Sequence, residues 1–293
     1  MITEIINNDC LDFLNTTEYC FDLTFFDPPF NQNKKYESHN DNMESDKYWN
    51  WMKDICDMVY KKTSPGGAIY FMQREKNVKE VMAVLEVTNW TFQNLIIWKK
   101  KTSAVPGNNR FGKHYQVIVF ATKGKRPRVF NKLRIDPPLL VTEKHKRPNG
   151  MYITDIWDDI RELTSGYFAG EEPLRIASGE RLHKQQSPLH LLLRIILSSS
   201  KPGDFIFDPF SGTGTSSIVS LQLNRNSIGI EKDCFYYENI LTRIKNIRSI
   251  DRVDKFKKDY KCTKDIENIW GDNNRIENYH PDQSSIFDII YTK

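Results

Sequence analysis

Two short stretches of this chain carry the residues best suited to chemistry. The first is Asp27-Pro28-Pro29-Phe30, which follows directly on the apolar run Phe21-Asp22-Leu23-Thr24-Phe25-Phe26. Its prolines stiffen the backbone and remove two N–H donors, so the neighbouring carbonyls stand as fixed acceptors. Asp27 adds a side-chain acceptor, and Phe30 adds a flat face for a planar group. Acceptors beside a ring suit an exocyclic amine on an aromatic heterocycle such as a nucleobase. Taken alone, the string also reads as an ordinary strand-to-turn junction.

The second stretch lies far downstream. The short apolar run Phe205-Ile206-Phe207-Asp208 leads into Pro209-Phe210-Ser211-Gly212-Thr213-Gly214-Thr215, and a helix is expected from 217 to 223. Strand, glycine turn and helix form the nucleotide-cofactor unit of doubly wound folds, in which glycines let the backbone approach a ligand. A further strand, Ser227-Ile228-Gly229-Ile230, ends in Glu231, roughly 20 residues past the glycines, where such folds place a carboxylate for ribose hydroxyls. No third glycine completes GxGxxG and no Lys follows the loop, which argues against a dinucleotide and excludes a P-loop. A ligand with an amino-acid end and an adenosine end suits the loop, and S-adenosylmethionine has both.

Together the two motifs resemble those of the DNA amino-methyltransferases, the family that methylates adenine N6 or cytosine N4. The family's catalytic tetrapeptide is Asp/Asn/Ser-Pro-Pro-aromatic, and its cofactor motif has the form Asp-Pro-Phe-x-Gly-x-Gly-Thr. Here the catalytic motif comes first, which resembles the permuted, beta class, and the likeness covers most of residues 1–247. The resemblance implies an α/β fold of the Rossmann-like S-adenosylmethionine-dependent type: a mixed, mostly parallel sheet with helices on both faces and circularly permuted motif order. It assigns Asp27, Pro28, Pro29 and Phe30 to catalysis. It assigns Asp9, Asp208, Phe210, Ser211, Gly212, Thr213, Gly214, Thr215, Glu231 and Ser187 to the cofactor. Asp9 reads equally as a helix N-cap, and both roles are compatible. Ser187 belongs to His183-Lys184-Gln185-Gln186-Ser187-Pro188, which resembles the family's His-Pro-x-Gln-Lys-Pro segment with Lys184 in place of Pro and Ser187 in place of Lys.

The elements that must position these residues alternate along the chain. Strands are expected at 1–6, 21–26, 68–72, 92–98, 115–121, 205–208 and 227–230. Helices are expected at 11–15, 48–62, 78–87, 189–199 and 235–247, with Ser64-Pro65-Gly66-Gly67 stopping the second of these. Such alternation implies helices layered on a sheet. Residues 31–46 read as a loop able to close over the site. The chain divides into a catalytic half (1–123), a target-recognition insertion (124–182), a cofactor-binding half (183–247) and an extension (248–293). That extension reads either as a packed segment or as a partner-binding arm. A second Asp-Pro-Pro string, Asp136-Pro137-Pro138, lacks the aromatic and reads as a turn.

Basic residues point to a polyanion. Lys100, Lys101, Arg110 and Lys113 lie in the loop between two strands, and Lys144, Lys146 and Arg147 in the insertion. Each is a candidate DNA contact, neutralising phosphates while a few side chains read base edges. The net charge of +4 permits such binding without demonstrating it. The 5 cysteines are scattered with no CxxC pair, which argues for a reducing cytosol and against a disulfide framework or zinc site. No metal is expected, and His183 and His190 read as packing or surface residues. No apolar stretch reaches the length of a membrane span, and no leader opens the chain.

The resemblance implies direct displacement on a flipped-out base, with Asp27 and the Pro28 carbonyl holding the amine and Phe30 stacking on the ring. Asp in the first motif position goes mainly with adenine N6, and the cytosine-N4 reading stays open beside it. A non-catalytic DNA-binding subunit of a methylating complex, and an enzyme acting on RNA or protein, are rivals from other classes. A restriction-modification role with a cognate endonuclease, a cytosolic location and a homodimer are expectations from the family, with no interface signature in the residues.

Overall fold

The computed structural model describes residues 1–293 apart from 33–40, 103, 137–146, 164–169, 184 and 272–293. The first half holds β1 (Thr3–Asn7), α1 (Cys10–Thr16), β2 (Phe21–Phe26), α2 (Ser45–Lys61), β3 (Thr63–Gln73), α3 (Val78–Val87), β4 (Thr91–Lys99) and β5 (Tyr115–Thr122). Three short strands follow: β6 (Arg134–Ile135), β7 (Met151–Tyr152) and β8 (Ile156–Trp157). The second half holds α4 (Leu189–Ser199), β9 (Phe205–Asp208), α5 (Thr215–Gln222), β10 (Asn226–Glu231), α6 (Cys234–Lys245) and α7 (Ile266–Trp270).

Eight strands form one sheet in the order β1-β10-β9-β2-β3-β5-β4-β8. The five from β1 to β3 are mutually parallel, β5 is antiparallel to both its neighbours, and β8 lies parallel to β4 at the edge. Near-continuous apolar strands such as Phe21–Phe26 suit a sheet buried on both faces. Alternate residues accordingly feed two cores. Leu23, Phe25, Tyr70, Ile118 and Phe120 pack with α4, α5 and α6, while Phe26, Ile69, Phe71, Val119 and Ala121 pack with α1, α2 and α3. Two helices start on aspartate caps: Asp9 accepts from the Leu11 N–H at 2.9 Å, and Asp233 accepts from Phe235 at 2.9 Å.

The structure departs from sequence expectation at Ser64-Pro65-Gly66-Gly67. α2 already ends at Lys61, and these residues lie inside β3 as an irregularity: Phe21 pairs with Thr63, but Leu23 pairs with Ala68. Gly66 adopts φ +75, and its carbonyl accepts from the Arg128 N–H at 2.7 Å. A Cβ there would stand 2.8 Å from that same nitrogen, so only glycine admits the contact.

Segments without a clear pattern in sequence also join the core. Leu133, Trp157 and Ile160, from the interval read as an insertion, are buried against α4. Arg194 of α4 grips Asp159 through two N–H···O bonds, one of them 2.7 Å long. Of the extension, the described part is packed: Tyr260 and Trp270 are fully buried, and the Arg225 guanidinium ties the Trp270 and Ile269 carbonyls (2.9 and 2.6 Å) to the Ser200 carbonyl (3.0 Å). His190 is half-buried beside Tyr260, 3.0 Å from its hydroxyl, and loss of solvent around the ring lowers its pKa. Asp136 of the second Asp-Pro-Pro string pairs with Lys261 at 3.0 Å, and its two prolines lie outside the described residues. No helix among the described residues is long and apolar enough to cross a membrane.

Candidate active site

The sheet brings the two sequence motifs together at one crevice. β9 and β2 are parallel neighbours, yet α5 follows β9 onto one face while α2 follows β2 onto the other. Chains that leave adjacent strands to opposite faces open a crevice at the strands' carboxyl ends. Asp208 ends β9, and Asp27 comes immediately after the last residue of β2. Both motifs line a single cavity of about 270 Å³, with Asp27, Pro28, Pro29 and Phe30 on one side and Asp208, Phe210, Ser211, Gly212, Thr213 and Thr215 on the other.

On the Asp27 side the tetrapeptide is clamped from behind. The Tyr48 hydroxyl donates to the Pro29 carbonyl at 2.8 Å and accepts from Gln73 Nε2 at 3.0 Å. Tyr48 is almost wholly buried, and burial raises its pKa, so the phenol stays protonated and keeps donating. Ser187 Oγ donates to Asp27 Oδ2 at 3.1 Å. Ser187 lines the cavity, as its cofactor assignment requires, but its hydroxyl sits on the Asp27 carboxylate. Behind it, Gln186 accepts from the Leu174 N–H at 2.9 Å, and Glu172 caps α4 through the Leu189 N–H at 2.7 Å.

On the opposite side, backbone N–H groups shape the glycine loop. Asp208 is fully enclosed: its Oδ1 accepts from the Phe210 N–H at 3.1 Å, and its Oδ2 from the Ser216 hydroxyl. Burial pushes its pKa up to about 6. These bonds make Asp208 the brace of the turn. Gly212 and Gly214 both have positive φ, and a Cβ on Gly214 would stand 2.4 Å from Ile240 Cγ2. Gly212 donates to Glu231 Oε2 at 2.8 Å, and Asp233 donates to Glu231 Oε1 at 2.9 Å. Glu231 still lines the cavity, with burial pushing its pKa up to about 7. Asp9 caps α1, pairs with Lys232 at 3.1 Å and lines the same cavity, so the cap and cavity positions coexist.

The comparisons with known proteins turn on this frame. Residues 21–242, which contain both motifs, match the profile of the DNA methylase family of N6/N4 methyltransferases. The chain belongs to that family. The methylase is 28% identical over 269 residues to the type II methyltransferase M.HinfI of Haemophilus influenzae, a match covering 84% of this chain and 69% of that protein. Its fold resembles that of M1.HpyAVI in complex with SAM, with TM-score 0.56, 23% identity, and 83% and 99% of the two chains covered. It also resembles the cytosine-N4-specific PvuII DNA methyltransferase, with TM-score 0.60, 17% identity, and 86% and 90% covered.

The basic candidates of the methylase divide by position. Lys100 does not face outward: it lines the cavity with Asp27 and Glu162, its Nζ is 5.4 Å from the Trp98 ring centroid, and burial lowers its pKa. Lys113 is paired with Glu75 at 2.6 Å. Lys101, Arg110 and Arg147 are exposed, while Lys144 and Lys146 lie outside the described residues, as does Lys184. Sequence reasoning missed Tyr48, Gln73 and Glu162, which reach the site from remote segments and carry no local motif, and it gave Gln186 no role although it lies in the His183–Pro188 segment. It missed Arg243 too, whose buried guanidinium donates to the Thr213 carbonyl at 2.8 Å and to Thr215 Oγ1 at 3.2 Å. Asp251 holds that guanidinium in turn, at 2.6 Å. Among the described residues no group of three or more His, Cys, Asp and Glu side chains is placed to hold a metal ion.

Proposed function

We propose that this DNA methylase moves a methyl group from S-adenosylmethionine to the exocyclic N6 of adenine in duplex DNA, at a short specific site, on a base turned out of the helix. The observation that carries the reading is the meeting of Asp27-Pro28-Pro29-Phe30 with the glycine loop in one cavity. The residues present fit such a donor. Pro209, Phe210 and Ile230 offer an apolar wall for an adenine ring, and the Glu231 carboxylate lies beside them for ribose hydroxyls. Gly212 and Gly214 keep the loop free of Cβ atoms at its left-handed positions. When bound, the sulfonium supplies an electrophilic methyl group.

The protein's own residues then act on the amine. An aromatic amine is a weak nucleophile because its lone pair is delocalised into the ring. The Asp27 carboxylate and the Pro28 carbonyl accept its two N–H bonds, which favours a tetrahedral nitrogen with an available lone pair. Ser187 on Asp27 and Tyr48 on Pro29 fix where those acceptors stand. Positioning of this kind is a large share of catalysis when two reactants must meet in line. Phe30 stacks on the base, and the surplus proton on the methylated nitrogen departs to solvent after the transfer.

Asp in the first motif position supports adenine. The cytosine-N4 alternative is not favoured, because the likeness to the N4-specific PvuII methyltransferase, at 17% identity, is one of fold alone. Methylation of DNA with labelled S-adenosylmethionine, followed by digestion to nucleosides, separates the two. N6-methyladenine is the expected product, and N4-methylcytosine overturns the assignment. Work in the cytosol beside a cognate restriction endonuclease, and assembly as a homodimer, belong to the same reading.

A further inference from the structure

The loop between β4 and β5 is a finger standing on the rim of the site. β4 runs parallel to β8 and antiparallel to β5, as β3 does to β5, so its carboxyl end lies on the same sheet edge as Asp27. At the root, the Lys100 N–H donates to the His114 carbonyl at 2.8 Å. Glu162 holds the Lys101 and Thr102 N–H groups at 2.8 and 2.9 Å. The two arms then approach closely: Ala104 N–H bonds to the Lys113 carbonyl at 2.8 Å, and Gly107 bridges Arg110. A Cβ on Gly112 would meet the Ala104 carbonyl oxygen at 2.0 Å, so the pairing demands glycine.

This finger exposes what a folded chain ordinarily covers. Phe111 is 96% exposed and Val105 is 89% exposed. A scattered apolar side chain on a surface is normal, but a phenylalanine held fully in water on a braced projection is a contact in waiting. Charge identifies the occupant. Residues 100–114 contain no Asp or Glu; of their cations Lys101 and Arg110 are exposed, whereas Lys100 faces the cavity and Lys113 pairs with Glu75. Cations around an apolar tip suit a duplex, whose phosphates meet the charges and whose stacked bases admit a wedge.

We infer that Phe111 is the wedge that enters the base stack of duplex DNA beside the target, filling the space the extruded base leaves. The inference rests on duplex DNA being the substrate. Extruding a paired base costs a few kcal/mol, and the cost is smallest where the base is already unpaired. An inserted ring that offsets part of this cost should therefore matter most for a fully paired target.

The test uses the full chain and a duplex carrying the site identified by mapping methylated bases in DNA treated with the enzyme. Phe111→Ala should lose about ten- to a hundredfold in kcat/KM on the matched duplex. It should approach wild type on the same duplex with an abasic site opposite the target, and Phe111→Trp should stay active on both. With 2-aminopurine at the target, the fluorescence rise on binding should shrink in Phe111→Ala. Thermal stability and S-adenosylmethionine affinity should be unchanged. Wild-type activity of Phe111→Ala on the matched duplex overturns the proposal, and so does an equal loss on matched and abasic duplexes. Absence of methylation of any DNA by the wild-type protein would instead remove the functional reading beneath it.

Discussion

Replacing Asp251 with alanine should damage both the fold and the cofactor loop, although this residue lies beyond the family match. Asp251 is fully buried and accepts from two guanidiniums: Arg243 at 2.6 Å, and Arg248 at 2.6 and 2.9 Å. Burial raises its pKa, but the bonds from Arg248 and Arg243 outweigh that and hold it below the ordinary carboxylate range. Its contribution is therefore present above that range and lost only as pH falls through the depressed value. Removing the carboxylate strands the Arg243 charge in the core, at a cost of about 3–5 kcal/mol. In a chain this long, that corresponds to a fall in Tm of roughly 5–12 °C. Arg243 also donates to Thr213 and Thr215 in the glycine loop, so S-adenosylmethionine binding should weaken about tenfold. Scanning calorimetry and titration calorimetry measure the two effects. The double variant Arg243→Met/Asp251→Leu should recover most of the Tm, because no charge is stranded, while binding stays weak because the loop has lost its donor. A Tm for Asp251→Ala within about 2 °C of wild type would refute the reasoning.

Three further outcomes concern the site and the loop beside it. Without cofactor, stability should fall as pH rises from about 4.5 to 7, because buried Glu231 and Asp208 bind protons in the folded state that the unfolded chain has already released. Glu231→Gln should flatten that slope in urea melts, and an unchanged slope would count against it. Lys100→Met should lower kcat while leaving the salt dependence of DNA binding intact, since its amine lines the cavity. Lys101→Ala should instead reduce the slope of log K against log salt by about 1, and the reverse pattern would contradict both placements.

What the sequence made legible depended on distance along the chain. Local signals were strong: the run Phe21–Phe26 is a strand, the Asp9 cap starts α1, and the two motifs sit at strand ends. The strand, glycine turn and helix around Gly212 and Gly214 also appear in the order the sequence implies. What failed to show were groups whose purpose exists only in three dimensions. Tyr48 looks like another apolar-face residue until its hydroxyl is seen on Pro29. Lys100 looks like a phosphate ligand until β4 carries it into the cavity. Asp251 lies in a charged stretch without periodicity, and its meaning comes from Arg243 and Arg248 converging on it. Ser64-Pro65-Gly66-Gly67 carries stop signals for a helix, yet β3 absorbs it because Gly66 can face Arg128 without a side chain.

The central claim is that Asp27 acts on the amine and takes no part in holding the donor. Asp27→Ala, tested on the mapped duplex, measures it directly through paired readings of methyl transfer and S-adenosylmethionine affinity. Transfer should fall by about 10²–10³-fold with cofactor affinity retained. Full transfer activity in that variant, or loss of cofactor binding in step with activity, would contradict the account.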